Sequence, residues 1–392
     1  MAVTNAHRGQ AALHVTPMRI AQVTYTFKPM RGGADAYAAQ LYNLLDREGH
    51  EQTVYQRLPG QGFERGASPE VRFLRNPFRG LPAEFWTQAL SLPLQWCKLR
   101  RLDAAIFHYP IYLLSCLPPR LSGRPLLVGL SHGVTWDDRP RSVRSKIKKA
   151  VAIAAFRTAD LYVANDTNFL REMGVDAPPR HKPFSRIAPR AWFIPNAVDP
   201  EFFRPVPPDP RLDALNAILV PRNLFFNRGV HLAIRAFAIF SKQYPEANLV
   251  IVGHASQPRY ADRLRRLARD LSVRSRVIFW GPAERHQMPS LYSASLMTVI
   301  PSVAGEGTSL SALESMACGT ATVSTDIAGL ADLPTVKSAA KAEELARVMI
   351  ETFPGRAEVG ALQRKQVAQG FSLPIWEGAW LEVMNEIGRL VG

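Results

Sequence analysis

Cysteine is scarce in this chain. Its three cysteines, Cys97, Cys116 and Cys318, are scattered through 392 residues. An odd, dispersed set makes neither a disulfide framework nor a zinc cluster, and it fits a reducing compartment. Long apolar runs are missing too: none reaches the length that a bilayer-spanning helix needs. Residues 1–17 are polar, lack the apolar stretch of a signal peptide, and are expected to form a flexible tail. Acidic residues are outnumbered, 33 against 48 Lys and Arg, which leaves a net charge of +15. That excess favours an anionic partner, with nucleic acid, an anionic membrane surface and a phosphorylated ligand all open. No nucleic-acid-binding motif and no solenoid-period repeat is present. The expected location is cytoplasmic, with the inner face of a membrane as a peripheral option.

What the chain does contain is regular alternation. Arg19–Tyr25 reads as a strand, followed by a glycine-bearing loop and a helical pattern over 36–46 with Tyr37, Leu41, Leu44 and Leu45 on one side. Gln52–Gln56, Ala104–His108, Pro125–Ser131 and Ala159–Ala164 read as further strands. Residues 59–100 show no clear period, and Pro178–Arg190 reads as a basic, proline-rich loop. From Ala217 onward strand and helix alternate strictly: strands over 217–221, 248–252, 276–279, 296–300 and 320–324, and helices between them. This is the pattern of parallel, doubly wound α/β sheets. At 392 residues two domains are expected, 18–205 and 206–373, with a closing amphipathic helix over 374–392. Ligands of such sheets bind at the C-terminal ends of strands, so the two domains should enclose a cleft.

The most informative stretch is Pro301–Gly319. A buried strand end leads into a Gly-bracketed loop holding Glu306, Thr308 or Ser309 can cap a helix, and Glu314 falls on that helix. A helix start offers free N–H groups and positive dipole charge, which suit a phosphate. Two flanking carboxylates suit hydroxyl-rich groups, so the outline is that of a nucleotide-sugar.

With these pieces in order, the chain resembles a family 4 glycosyltransferase of the GT-B fold over roughly residues 19–380. The resemblance rests on Arg31-Gly-Gly-Ala-Asp35, Ser131-His-Gly133, Ile194-Pro-Asn-Ala-Val-Asp199, Pro221 to Gly229, Leu249-Val-Ile-Val-Gly253, Val277 to Gly281, and the Glu-x7-Glu motif of Glu306 and Glu314. It implies two facing Rossmann-like domains, the first for the acceptor and the second for the donor. It implies that Arg222 and Arg228 grip the donor diphosphate, that Glu314 accepts from the ribose hydroxyls, and that Glu306 lies at the sugar ring. Gly253, Gly307, Thr308, Ser309 and Leu310 would complete the donor site, the last three through backbone amides. Gly32 and Gly33 would let the backbone approach the donor, and His132 would line the reaction centre. The family's usual Gly-Phe-Gly-Leu is Gly307-Thr-Ser-Leu310 here, which would narrow the space beside the donor sugar. Asn165-Asp166-Thr167 receives no role.

The implied reaction is retaining transfer of a hexose from a UDP- or GDP-sugar to a hydroxyl of a glycan or lipid-linked acceptor, in cell-surface polysaccharide synthesis. With no Asp-x-Asp motif, neither a metal nor another cofactor is implied. The basic amphipathic segment 139–157 is expected to meet an anionic membrane. Two alternatives stand beside this reading: another GT-B enzyme, such as a nucleotide-sugar epimerase or phosphorylase, and a non-catalytic scaffold using its basic surface.

Overall fold

The computed structural model describes residues 16–27, 32–57, 71–74, 90–109, 111–115, 123–134, 142–175 and 183–392. Two sheets organise it, parallel throughout except for one edge strand of the first. The first contains β1 (Arg19–Val23), β2 (Glu51–Arg57), β3 (Val71–Leu74), β4 (Ala104–Phe107), β5 (Leu126–Ser131), β6 (Leu161–Ala164), β7 (Ser185–Ala188) and β8 (Ala191–Phe193), in the spatial order β3-β2-β1-β4-β5-β6-β8-β7. The second contains β9 (Ala217–Pro221), β10 (Asn248–Val252), β11 (Val277–Gly281), β12 (Met297–Ile300), β13 (Thr322–Thr325) and β14 (Val336–Ser338), in the order β11-β10-β9-β12-β13-β14. In both, the order reverses beside the first strand, between β1 and β4 and between β9 and β12. Such reversal points open a crevice at the strands' C-terminal ends.

Strand composition explains the layering. All four residues of β4 and of β12 and all five of β9 are buried, as expected of strands covered on both faces by helices. Each sheet therefore has two apolar cores. Ile20, Ile106 and Val128 face one side of the first sheet, and Val23, Phe107 and Leu127 the other. Ile218, Leu249 and Val299 face one side of the second, and Leu219, Val250 and Ile300 the other.

The chain crosses between the sheets twice, side by side. The Val198 N–H donates to the Phe371 carbonyl at 2.9 Å, and the Leu373 N–H donates to the Val198 carbonyl at 2.9 Å. Beyond this point the helix Leu373–Val391 packs on the first domain, with Trp376 and Trp380 fully buried among its residues. The Trp380 Nε1–H donates to the Tyr37 hydroxyl at 2.8 Å. Truncating a core Trp typically costs about 3–5 kcal/mol, so these two rings hold the returning helix firmly.

Several elements differ from the sequence expectation. The segment read as a loop over 178–190 contains β7, paired antiparallel with β8, while 176–182 lie outside the described residues. After Pro334 the chain first forms β14 and then the helix Ala342–Thr352, where direct passage into a helix near 338 was expected. The helix Arg356–Gly370 had not been anticipated at all, because its apolar residues show almost no one-sided spacing. The basic helix spans Val143–Thr158, and 139–141 lie outside the described residues.

Candidate active site

Both crevices face each other, and the expected site residues line them. β9 ends at Pro221, which places Arg222 at the mouth of the second crevice. Arg222 is buried, and its Nη2 donates to Glu306 Oε2 at 2.5 Å and to Ser302 Oγ at 2.6 Å. Its Nη1 lies 3.3 Å from Ser309 Oγ. Arg228 Nη1 donates to the same Glu306 oxygen, and Ser302 Oγ donates to it at 2.7 Å. One carboxylate oxygen thus collects three donors, and Oε1 is left for another partner. Burial alone would raise the Glu306 carboxyl, but Arg222, Arg228 and Ser302 outweigh it and hold it below its ordinary range.

Two glycines make this geometry possible. Gly229 has φ +67°, and an added Cβ would stand 1.8 Å from the Pro301 carbonyl oxygen. Only glycine therefore lets the turn after Arg228 pass under the strand end of β12. Gly253 performs the same service for Arg222: a Cβ there would lie 2.3 Å from the Arg222 carbonyl oxygen.

The helix Leu310–Ala317 begins beside this cluster, with Ser309 at its N-cap. The Ser309 side chain caps nothing and faces Arg222. The first N–H groups of the helix, from Leu310 on, have no intrahelical acceptor and are available to a phosphate. Across the cleft begins the helix Gly33–Arg47, capped by Gly32 in extended backbone. A Cβ on Gly33 would lie 3.5 Å from Leu310 Cδ1, and one on Gly32 would meet nothing within 4 Å. The two helix N-termini therefore approach each other closely at Gly33 and Leu310, with free space beside Gly32.

Glu314 sits one turn into its helix, apart from the arginine cluster. It accepts from the Tyr292 hydroxyl at 3.0 Å. Burial pushes its carboxyl up to about 7, against the opposing pull of Tyr292 and Arg285. His132, in the loop after β5, is half-buried; its ring meets Tyr37 edge-on at 5.2 Å and stacks on His108 at 5.3 Å. Burial lowers its imidazole to about 3, so it is neutral at physiological pH.

Thr308 corrects the sequence reading. It was expected to offer its backbone amide to the donor phosphates. Its N–H instead donates to Asn165 Oδ1 at 2.9 Å, and its hydroxyl donates to the same oxygen at 2.8 Å. That hydroxyl also accepts from the Asn196 N–H at 2.8 Å, and Asn196 Nδ2 donates to the Thr308 carbonyl. Thr308 is 2% exposed and belongs to the seam between the domains, where a buried polar group must find its partners in protein. Gly307 lies in the same seam: a Cβ there would stand 2.7 Å from the His132 carbonyl oxygen and from Asn165 Oδ1.

Asn165-Asp166-Thr167, given no role from sequence, builds the rest of the seam. The Thr167 N–H and hydroxyl donate to Asp332 at 2.8 and 2.5 Å, tying the first domain to the second. Asp166 caps its helix by accepting from the Phe169 N–H at 2.8 Å. Ser302, Tyr292, Asn196 and Asp332 were likewise missed. Ser302 lies two residues past the end of buried β12, and Asp166 and Thr167 form a helix-start signature after β6. Those signals were available, but their cross-domain partners were not. Among the described residues, no group of three or more His, Cys, Asp or Glu converges as a metal site.

Comparisons with known proteins show which family and fold the chain is similar to. The family model described as glycosyl transferases group 1 matches residues 210–338, and that described as a glycosyl transferase 4-like domain matches residues 32–183. The D-inositol 3-phosphate glycosyltransferase of Acidothermus cellulolyticus is 28% identical over 367 residues, covering 80% of this chain and 77% of its own. The GDP-mannose-dependent alpha-(1-6)-phosphatidylinositol monomannoside mannosyltransferase of Mycolicibacterium smegmatis is 27% identical, over 76% of this chain and 78% of its own. Among solved structures, sucrose-phosphate synthase of Thermosynechococcus elongatus superposes with TM-score 0.78 at 17% identity, over 94% of this chain and 99% of its own. Anabaena HepE in complex with UDP-glucose superposes with TM-score 0.72 at 18% identity, over 94% and 100%. At such identities the structural likeness concerns the fold.

Proposed function

Since the chain belongs to the group 1, family 4 glycosyltransferases, we propose that it moves a hexose from a UDP- or GDP-sugar to a hydroxyl of a glycan or lipid-linked acceptor with retention of configuration. Cell-surface polysaccharide synthesis is the setting in which we place it. The bond from the sugar's anomeric carbon to the diphosphate breaks, a bond to the acceptor oxygen forms, and the acceptor proton passes to the departing diphosphate. No second carboxylate across the sugar is needed for that route, unlike in retaining hydrolases.

One observation carries this reading: Arg222 and Arg228 converge on Glu306 beside the free N–H groups of the helix Leu310–Ala317. In this role the arginines and the helix start hold the diphosphate and stabilise its growing charge. Glu306 keeps the arginines oriented while Oε1 meets a sugar hydroxyl, and Glu314 takes the ribose. Gly32, where an added Cβ would meet nothing within 4 Å, leaves room for the ligand, and Gly33 lets the helix start come close to Leu310. The mycolicibacterial relative's name specifies GDP-mannose, and HepE was solved with UDP-glucose, so both head the test panel. UDP-, GDP-, ADP- and dTDP-sugars are compared by thermal shift and slow donor hydrolysis. A UDP- or GDP-hexose should stabilise the protein and be hydrolysed; stabilisation by none of the four would overturn the proposal.

The Glu314 role carries a pH signature. An ionised carboxylate offers the ribose hydroxyls more acceptor sites than a protonated one. Nucleotide-sugar affinity should therefore rise as the pH climbs through about 7, and binding near that pH should release protons. Calorimetry in buffers of different ionisation heat reads this directly. Glu314→Gln should flatten the dependence; an affinity that falls as pH rises would refute the assignment.

The helix Val143–Thr158 supports a membrane-bound acceptor. Val143 and Ile147 are 74% and 56% exposed beside Lys146 and Lys148. Such a face suits an anionic lipid surface. No helix among the described residues is long and apolar enough to cross a membrane. Flotation with anionic vesicles should show binding that high salt removes, and absence of binding at low salt would sink this part.

A further inference from the structure

Behind His132 runs a chain of hydrogen bonds whose direction is fixed at its far end. The Tyr42 carbonyl can only accept, so Gln52 Nε2, 2.8 Å away, donates to it. Gln52 Oε1 then faces Gln22 Nε2 at 3.0 Å as the acceptor. Gln22 is left with Oε1 to offer His108 Nε2 at 2.9 Å, so His108 carries its proton on Nε2. His108 Nδ1 is consequently a lone pair, and His132 Nε2, 3.1 Å away, must be the donor. The remaining nitrogen, His132 Nδ1, holds no proton. Among the described residues it has no hydrogen-bond partner, and the His132 side chain is only partly buried.

We propose that His108, Gln22 and Gln52 are positioning residues that lock His132 as the neutral Nε2–H tautomer, so that Nδ1 meets the cleft as a hydrogen-bond acceptor for a hydroxyl of the reacting sugars. The proposal rests on the nucleotide-sugar reading of the cleft only for the identity of that hydroxyl. The chain itself stands on geometry. Gln22 and His108 are 0% and 1% exposed, so water cannot replace a lost partner. The opposite tautomer of His132 would set two lone pairs against each other across the stacked rings. A doubly protonated His132 would place a cation where burial already drives both imidazoles below their ordinary range.

The two ends of the chain separate orientation from proton transfer. A glutamine amide does not readily pass a proton along, so the chain orients and does not conduct. His132 then acts as a fixed acceptor and not as an acid, which leaves the departing diphosphate to take the acceptor's proton. Gln22 and Gln52 come from β1 and β2, and His108 follows β4. The switch point of the first sheet therefore aligns the ring that hangs from β5.

The test is a long-range ¹H–¹⁵N correlation spectrum of the full chain with labelled histidine at neutral pH, His132 being assigned by difference from His132→Asn. Both His132 and His108 should be protonated at Nε2 alone. His108→Leu and Gln22→Met should each turn His132 into a mixture of tautomers. His108→Asn, whose Oδ1 stands near the place of Nδ1, should restore the single form. Hydrolysis of the accepted donor should fall about 10- to 100-fold in His108→Leu, the scale of a misplaced group, with KM little changed. A proton on His132 Nδ1 in the unaltered chain, or a His132 tautomer unmoved in both His108→Leu and Gln22→Met, would overturn the proposal. Adding UDP-glucose or GDP-mannose should shift the His132 Nδ1 resonance. If the tautomers are as expected and neither donor shifts it, the sugar-facing role fails while the chain stands.

Discussion

Arg222→Met should abolish nucleotide-sugar binding and lower transfer by about 10³-fold or more, because a single preorganised charge-stabilising donor is commonly worth 10²–10³ and Arg222 also orients Glu306. The side chain is buried and reaches Glu306, Ser302 and Ser309 at once. Methionine keeps most of the volume and none of the donors. Removing one partner of a buried ion pair typically costs about 3–5 kcal/mol, and the lower end fits here because Arg228 and Ser302 still reach Glu306. The variant should therefore melt earlier yet stay folded. Arg222→Lys should recover stability better than binding, since an ammonium cannot reproduce the planar fork that reaches Ser309 through Nη1 and Ser302 and Glu306 through Nη2. Thermal melting and calorimetric titration with UDP-glucose and GDP-mannose read both effects. A folded Arg222→Met protein that binds either as the unaltered chain does would refute the diphosphate role.

Glu306→Gln should split binding from transfer. Transfer should fall by about 10²–10³-fold, since the role proposed for Glu306 makes it the charged group nearest the sugar. Affinity for UDP or GDP should hold or increase, because the two arginines no longer share their charge with a carboxylate. The arginines would then face each other uncompensated, and the guanidinium of Arg222 already feels Arg228. The ligand-free variant should consequently melt earlier, and added nucleotide should restore more stability than it adds to the unaltered chain. Parallel loss of binding and transfer would show that Glu306 serves only to build the site, and unchanged transfer would remove it from the reaction.

The backbone plan was legible because it depends on local pattern. Strands such as β4, β9 and β12 are continuous apolar runs bounded by turns, and the helices between them keep a period that any reader of the chain can follow. β7 was not legible. It is a short, half-exposed edge strand in a proline-rich stretch, and only its pairing with β8 makes it a strand. The helix Arg356–Gly370 was missed for a related reason: its charges and apolar residues are mixed around the axis, so periodicity carries no signal.

The site divides in the same way. Arg222, Arg228, Glu306 and Glu314 stand where strand ends and a helix start announce them. Their mutual arrangement was not in the pattern, and the sharing of one Glu306 oxygen by two arginines and Ser302 emerges only when β9 and β12 lie side by side. Thr308 is the sharpest case. From the motif alone its amide belongs to the donor phosphates; in the folded chain Asn165 and Asn196, more than a hundred residues earlier, turn it into the seam.

The amino-acid sequence by itself determined two doubly wound domains, a phosphate-suited helix start at Leu310, and the cations and carboxylates around it, since each depends on residues close together in the chain. Only the tertiary structure decided which polar groups bind each other, as Thr308, Asn165 and Asn196 do across the domain boundary. Hydrogen bonds across a domain boundary leave no local period; burial sets the charge of His132 and Glu314, while the two arginines outweigh burial at Glu306.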